Sequence, residues 1–290
     1  MSRVFCIGNG ESRKDFDLNV LKGKGKVYGC NAIYRDYPEL IDVLTAVDNG
    51  IIHEIYHSGY ALKKPCYFRS WTKMPVDMYE QIISGMANQQ DLEQLKDYDV
   101  IKKNSSEGAK EFVVHGTTLK GMVSIVQNER KKNPKATPDI IQKQINNAQI
   151  YLSYIQQGDM SYDLKEVWKD YRDHGWACGA SSAFVAVKRE QPKEIYLIGH
   201  DLVSDTGHIN NMYKDTKNYQ PKSAGATPSV NWANQWFTLM EWNPNIKFIK
   251  VNKGMSTSPT NTPIPEWQKY VGKNLEYITQ AQLLDRLDKF

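Results

Sequence analysis

The stretch Arg3-Val-Phe-Cys-Ile7, followed directly by Gly8-Asn9-Gly10-Glu11-Ser12, decides the fold of this chain. An apolar run ends there at a Gly-Asn-Gly turn. A second run, Lys26–Cys30, ends in Asn31 after a short connection. Short apolar runs in such succession are typical of buried parallel strands. We therefore predict an open α/β sheet, in which ligands bind beyond the carboxyl ends of the strands.

The turn after the first strand predicts a phosphate site. Gly8 and Gly10 would let backbone amides approach a phosphate without an intervening side chain. Asn9, Ser12 and Asn31 would surround it with neutral hydrogen-bonding groups. The spacing matches neither the G-x-G-x-x-G dinucleotide fingerprint nor the G-K-[ST] phosphate loop. We therefore expect a nucleotide site of another kind.

The composition favours one large α/β domain, or a core domain with an insertion. The chain has 290 residues, 40% of them hydrophobic, which is enough for a sizeable core. Its net charge of +4 permits an anionic ligand without requiring one. No segment approaches about 18 uncharged apolar residues, so we expect no membrane span. The four cysteines form no C-x-x-C pair, which fits free thiols in a reducing cytoplasm.

The sequence pattern changes in the middle of the chain. Residues 1–72 and 172–290 contain the strand signals and predict a nucleotide-binding α/β core. The further strands predicted there are Asp42–Val47, Glu194–Gly199 and Ile246–Val251, and the helices begin near Gly179, Ser229 and Thr279. Residues 73–171 are dominated by polar, helix-forming stretches. We predict that they form a mainly helical insertion, or lid.

Four pieces of the chain lie in a recognisable order. They are the Gly8-Asn-Gly-x-Ser12 turn, Asn31, the pair Gly179-x-Ser181, and Glu194-Ile-Tyr-Leu-x-Gly199-x-Asp201. Together they resemble the bacterial sialyltransferases of glycosyltransferase family 42, over about the first fifty residues and residues 175–250. The resemblance implies a GT-A-like, Rossmann-like, mostly parallel sheet with a lid over the donor sugar. A looser superfamily includes flagellin-glycosylation accessory proteins and a hydroxymethylpterin pyrophosphokinase.

The resemblance also implies site residues. It gives donor-binding roles to Gly8, Asn9, Gly10, Ser12, Asn31, Asn49, Gly179, Ser181, Gly199 and Tyr213, of which Tyr213 would neutralise the leaving phosphate. The donor-contacting residue after the third strand would be either Asp48 or Asn49. The donor would be a CMP- or UDP-sugar, and no cofactor would be obligatory.

The general base is the point of departure from that family. The resemblance places the family's general-base histidine just before the helix near Ser229, but this chain has Ala226-Thr-Pro-Ser229 there and no histidine. His208, on the nearby loop, is the first substitute, and Asp48 and Asp201 are the next candidates. An imidazole or a carboxylate can deprotonate an acceptor hydroxyl.

Two motifs suggest metal chemistry. His53-Glu54-Ile-Tyr-His57 matches H-E-x-x-H, but a zinc protease needs a longer helix and a third ligand, so we predict a short surface helix. Asp15-Phe-Asp17 has the D-x-D spacing of metal-dependent glycosyltransferases. It lies in the first connection, where we predict a cap and a surface residue. We therefore predict no obligatory metal.

The acceptor and two alternative functions stay open at this stage. The basic charge and the missing histidine raise the hypothesis of an acceptor in DNA, a hydroxymethylated pyrimidine, beside the more usual glycan hydroxyl. Such a partner would need basic clusters beside the donor cleft, for which Lys63-Lys64 is one candidate. The alternatives are a pyrophosphokinase of the pterin type that uses ATP and Mg²⁺, and a non-catalytic nucleotide-sugar-binding accessory protein.

Overall fold

The computed structural model describes residues 2–70, 99–104, 110–115, 130–140, 143, 150–153, 155, 159–169, 174–204, 206–228, 230–254 and 265–289. Much of the predicted insertion therefore lies outside the described residues. The strands are, in chain order, β1 (Arg3–Ile7), β2 (Lys26–Cys30), β3 (Val43–Ala46), β4 (Cys66–Phe68), β5 (Asp99–Asn104), β6 (Lys110–His115), β7 (Ile150–Ser153), β8 (Ser161–Asp163), β9 (Glu194–Ile198), β10 (Lys247–Asn252) and β11 (Leu275–Thr279).

Eight of these strands form one sheet, in the order β11-β10-β9-β1-β2-β3-β4-β8. Every neighbouring pair in it is parallel. This confirms the predicted α/β class, and the strands predicted from the sequence are β1, β2, β3, β9 and β10. Val4 and Cys6 pack on one face of the sheet, and Phe5 and Ile7 pack on the other. The near-continuous apolar character of β1 thus follows from burial on both faces.

The direction in which strands are added reverses beside β1. After β1 the chain adds β2, β3, β4 and β8 on one side, and then β9, β10 and β11 on the other. Ile7 is paired with Gly29 of β2 and with Ile198 of β9. In open parallel sheets, such a point of reversal leaves a crevice at the carboxyl ends of the strands. The turn after β1 and the loop after β9 therefore lie side by side.

Helices cover both faces of this sheet. They are α1 (Asn49–His57), α2 (Cys178–Glu190), α3 (Val230–Trp242), α4 (Pro265–Gln268) and α5 (Gln280–Leu287). Apolar side chains of α2 and α3, such as Phe184 and Trp236, pack on one face, and those of α1 and α5, such as Ile52 and Leu283, pack on the other. Thr279 and Gln282 form a capping box at the start of α5.

The described part of residues 73–171 differs from the predicted helical insertion. It contains a separate sheet in which β5 is antiparallel to β6 and β6 is parallel to β7. The helix prediction is wrong at these strands because β-branched and aromatic residues at 112–114 and 150–152 favour extended structure. In addition, β8 pairs with β4, so the large sheet resumes at Ser161, before the predicted boundary at residue 172.

All four cysteines, Cys6, Cys30, Cys66 and Cys178, are buried free thiols. Among the described residues, no helix is long and apolar enough to cross a membrane.

Candidate functional site

A cavity of about 740 Å³ opens at the carboxyl edge of the large sheet, where the strand order reverses. Its lining comes from the turn after β1, the ends of β2 and β3, the start of α2, the loop between β9 and α3, and α3 itself. Ligand sites of open α/β sheets occur at this position, and the volume is in the range of small-molecule sites.

The cavity contains many of the residues predicted for the site. Those that line it are Gly8, Asn9, Gly10, Asn31, Asp48, Gly179, Gly199 and Asp201. Asn49 begins α1, between the lining residues Asp48 and Gly50. Ser12, Ser181, His208 and Tyr213 are not among the lining residues.

Three backbone amides of the turn after β1 are bonded within the protein. Gly8 N–H donates to the carbonyl of Ile198 (2.7 Å), and Gly10 N–H donates to the carbonyl of Gly199 (2.8 Å). Glu11 N–H donates to Asn210 Oδ1 (2.7 Å). The amides of Gly8 and Gly10 are therefore occupied, because the carbonyls of Ile198, at the end of β9, and of Gly199, which follows it, accept from them.

The glycines of this turn allow two loops to cross. A Cβ on Gly8 would overlap the carbonyl oxygen of Gly199, and one on Gly10 would overlap the carboxylate of Asp201. Gly199 has a φ of +71°, and its own Cβ would lie 2.7 Å from the carbonyl oxygen of Gly8. Close backbone approach explains the Gly-Asn-Gly sequence here.

Asp201 anchors the turn. Its buried carboxylate accepts hydrogen bonds from the Ser12 amide (3.0 Å), the Ser12 hydroxyl and the Asn210 side chain (3.2 Å). The amide and the hydroxyl of Ser12 are therefore both bonded to the loop after β9. Arg13 is buried beneath the turn and donates from Nε to the Gly8 carbonyl (2.8 Å). The acceptor capacity of Asp201 is thus used for structure, which leaves it poorly placed as a general base.

The cavity lining includes strained backbone positions and two buried polar atoms without a partner among the described residues. Asn31, Leu202 and Asn218 all line it with positive φ values of 51°, 65° and 66°. The left-handed conformation is costly for residues other than glycine and occurs often at functional sites. Asn31 Oδ1 and His200 Nε2 are also buried without a hydrogen-bond partner in the described part of the chain. Such atoms are expected to be satisfied by water or a ligand.

The first backbone N–H groups of α2 lie at the cavity and are suited to bind an anion there, whereas the amides of Gly8 and Gly10 are bonded within the protein. Ala177, Cys178, Gly179 and Ala180 line the cavity, and α2 is 13 residues long with no side-chain cap. The first N–H groups of a helix have no intrahelical acceptor and carry partial positive charge. Gly179 is required here because a Cβ would lie 2.9 Å from His200 Nδ1. Ser181, one turn in, is fully buried and donates to the Trp176 carbonyl (3.2 Å).

His200 is a buried, neutral histidine at the base of the cavity, and the sequence analysis did not select it. Burial, and next the charge of Lys250, lower its pKa to about 3. Its ring packs against Trp236, with 4.8 Å between the ring centroids. The contact with Trp236 and the low pKa indicate that His200 stays neutral near pH 7 and has a structural role in the cavity wall.

We expect His200 to make the fold sensitive to acid. Because its folded-state pKa lies below the unfolded value of about 6.5, the unfolded chain binds the extra proton first. The stability that neutral His200 contributes to the fold is present above the unfolded-state pKa of about 6.5, and it is lost as the pH falls toward the folded-state pKa. Between about pH 7 and pH 5 the loss is about 2 kcal/mol. Urea unfolding of the wild type and of His200→Gln at both pH values measures this loss of unfolding free energy. An equal pH dependence of stability in the two proteins would refute the role of His200.

Tyr213, to which the resemblance gives a role at the donor, and Tyr219, which the sequence analysis did not select, differ in position. Tyr213 is buried outside the cavity, and its hydroxyl donates to Asp36 (2.8 Å). Tyr219 lines the cavity, and its hydroxyl accepts from the Ala32 amide (3.2 Å), so that the O–H proton can be donated elsewhere. Burial raises the pKa of Tyr219, which keeps it a donor. Only the packing of the loop distinguishes these two residues.

The remaining base candidates differ in position. Asp48 is exposed at the end of β3 and lines the cavity. His208 is exposed on the loop, where its backbone bridges to Gly225, and it is not a lining residue. Asp48 is therefore the carboxylate best placed to meet a bound ligand.

The two metal motifs have structural roles in the described residues. Glu54, in α1, is paired with Arg35 (2.6 Å), and α1 is nine residues long, as the short-helix prediction required. Asp17 accepts from the Asn19 amide as the cap of a short 3₁₀ helix, and exposed Asp15 is paired with Lys253 (2.6 Å). Within the described residues, no cluster of three His, Cys, Asp or Glu side chains could hold a metal ion.

Comparisons of the chain with protein-family models, with curated proteins and with solved structures found no match.

Proposed function

We propose that the chain is a glycosyltransferase that takes a sugar from a CMP- or UDP-sugar bound in the cavity at the carboxyl edge of the large sheet. The observation that carries this proposal is the meeting, at the reversal point of the sheet, of an uncapped helix start with the unpartnered side-chain oxygen of Asn31. A helix start is suited to a phosphate, and an amide is suited to a ribose or sugar hydroxyl.

The proposed roles follow from position. The amides at the start of α2 bind the donor phosphate, and Asn9 and Asn31 bind neutral groups beside it. Asp48 deprotonates the acceptor hydroxyl, and the Tyr219 hydroxyl donates to the leaving phosphate. The four buried free thiols are compatible with the cytoplasm of a bacterium or of a phage-infected host.

The acceptor is proposed only as a hydroxyl of a glycan or of a hydroxymethylated pyrimidine in DNA. Lys63 and Lys64 precede β4, so they lie at the amino edge of the sheet, opposite the cavity. This pair therefore does not provide the phosphate-backbone contacts that DNA would need beside the donor.

A thermal-shift panel of CMP, UDP, GDP and ATP, each with and without Mg²⁺, tests the proposal. At one hundred times Kd, binding stabilises the native state by about 2.7 kcal/mol, or about 4 °C for a chain of this length. We expect this shift with CMP or UDP. A response to ATP only with Mg²⁺ would favour a pyrophosphokinase, and no response to any nucleotide would refute the proposal.

The variant Asn31→Gly locates the binding. Glycine keeps the left-handed backbone at this position and removes only the amide. We expect the nucleotide-dependent shift to fall by half or more, whereas the control Asn19→Gly, at an exposed asparagine outside the cavity, should keep it. An undiminished shift in Asn31→Gly would place the nucleotide elsewhere.

A further inference from the structure

One ion pair joins three segments that meet at the cavity. Arg35 follows β2, Glu54 lies in α1, and residues 216–220 belong to the loop between β9 and α3. The guanidinium of Arg35 donates from Nε (2.7 Å) and Nη2 (2.6 Å) to the two carboxylate oxygens of Glu54. This fork-shaped pair fixes orientation as well as distance.

The same two side chains bind the 216–220 segment. Arg35 donates to the Thr216 hydroxyl (2.8 Å) and to the Lys217 carbonyl (3.0 Å). Glu54 accepts from the Asn218 side chain (2.8 Å). The guanidinium also lies over the Tyr219 ring, 5.8 Å from its centroid.

Residues of this segment form part of the cavity lining. Asn218, Tyr219 and Gln220 all line it, although Asn218 and Gln220 are otherwise exposed. Asn218 has a φ of 66°, so its conformation needs support from its surroundings. A Cβ on Gly50 would lie 2.7 Å from Asn218 Oδ1, so the start of α1 is fitted closely to this side chain.

We propose that Arg35 and Glu54 are positioning residues that hold the 216–220 segment against the cavity, so that Tyr219 and Asn218 are presented to the bound ligand. Neither residue lines the cavity itself. The glutamate of the H-E-x-x-H sequence then acts on ligand binding through a loop and not as a base. The part of this inference that concerns the ligand rests on the proposed function, whereas the part that concerns the loop does not.

Hydrogen exchange of the full chain without ligand tests the loop. Glu54→Gln removes the charge, and Arg35→Lys removes the fork. We expect amides of residues 212–222 to exchange about tenfold faster in both variants, with those of β9 and α3 unchanged. Asn218→Gly, which keeps the left-handed backbone, should give a smaller increase. The matched control is Glu276→Gln, because Glu276, on the edge strand β11, is likewise an ion-paired carboxylate, bonded by Lys247 and Arg286.

Exchange at 212–222 that is unchanged in Glu54→Gln and Arg35→Lys, or that rises equally in β9 and α3, overturns the proposal. A change at 212–222 in Glu276→Gln also overturns it, since the effect would then not belong to this ion pair. These outcomes do not depend on the identity of the ligand.

A double-mutant cycle with CMP and UDP as probes tests the link to binding. If Glu54 acts by positioning Tyr219, the loss of affinity in Glu54→Gln/Tyr219→Phe is smaller than the product of the two single losses. Losses that multiply overturn the link. A wild type that binds neither CMP nor UDP refutes the proposed function instead, and the exchange result then decides the positioning role by itself.

Discussion

Asp48→Asn is expected to lower the rate of sugar transfer from the donor by about 10²- to 10⁴-fold, which is the usual contribution of a general base. Asp48 is the exposed carboxylate of the cavity lining, at the end of β3. Asparagine has nearly the same shape and keeps hydrogen-bonding capacity, but it cannot take a proton from an acceptor hydroxyl. Binding of the nucleotide itself should change little, because the phosphate is assigned to α2.

Release of CMP or UDP from the donor sugar, with and without acceptor, measures this effect as kcat and KM separately. Asp285→Asn is the control, since Asp285 is exposed on α5, away from the cavity. His208→Asn distinguishes the other candidate base. A normal kcat in Asp48→Asn together with a large loss in His208→Asn would assign the base to the loop histidine and contradict our account.

Gly8→Ala is expected to destabilise the fold by about 3 kcal/mol and to abolish nucleotide binding. The new methyl group would overlap the Gly199 carbonyl oxygen and lie 2.7 Å from His200 Nδ1. Backbone cannot be displaced cheaply, so the turn after β1 and the loop after β9 would have to separate. Both loops line the cavity, and its shape would be lost with them.

Urea unfolding and the nucleotide thermal shift measure the two consequences. Gly225→Ala is the matched control, because a Cβ there meets nothing within 4 Å and no positive φ is involved. It should change stability by less than about 1 kcal/mol and leave binding intact. If Gly8→Ala and Gly225→Ala have the same stability and binding, the close approach of the two loops does not require glycine at position 8.

The sequence was sufficient for the central strands because they are apolar on both faces. β1, β2 and β9 each show a short β-branched or aromatic run followed by a turn. In the large sheet, the strands missed were β4 and β8, three residues each, and β11, where four of five residues are only partly buried. Such short or half-buried segments take extended structure from their neighbours and give little signal of their own.

The location of the candidate site could be predicted from the sequence, but the hydrogen bonds within it could not. Gly8, Asn9 and Asn31 follow strands that meet at one edge, which places them together. Whether the turn offers its amides to a ligand depends on which strand lies beside β1, and that strand is β9, almost two hundred residues later. The choice of Tyr219 over Tyr213 likewise depends on how one loop packs.

A crystal structure of the chain with CMP or UDP at saturating concentration is the most direct test of the central claim. We predict the nucleotide in the cavity at the carboxyl edge, with its phosphate on the N–H groups of Cys178, Gly179 and Ala180 and with a hydroxyl on Asn31 Oδ1. A nucleotide bound outside this cavity, or in it with the phosphate away from the start of α2, would contradict the account.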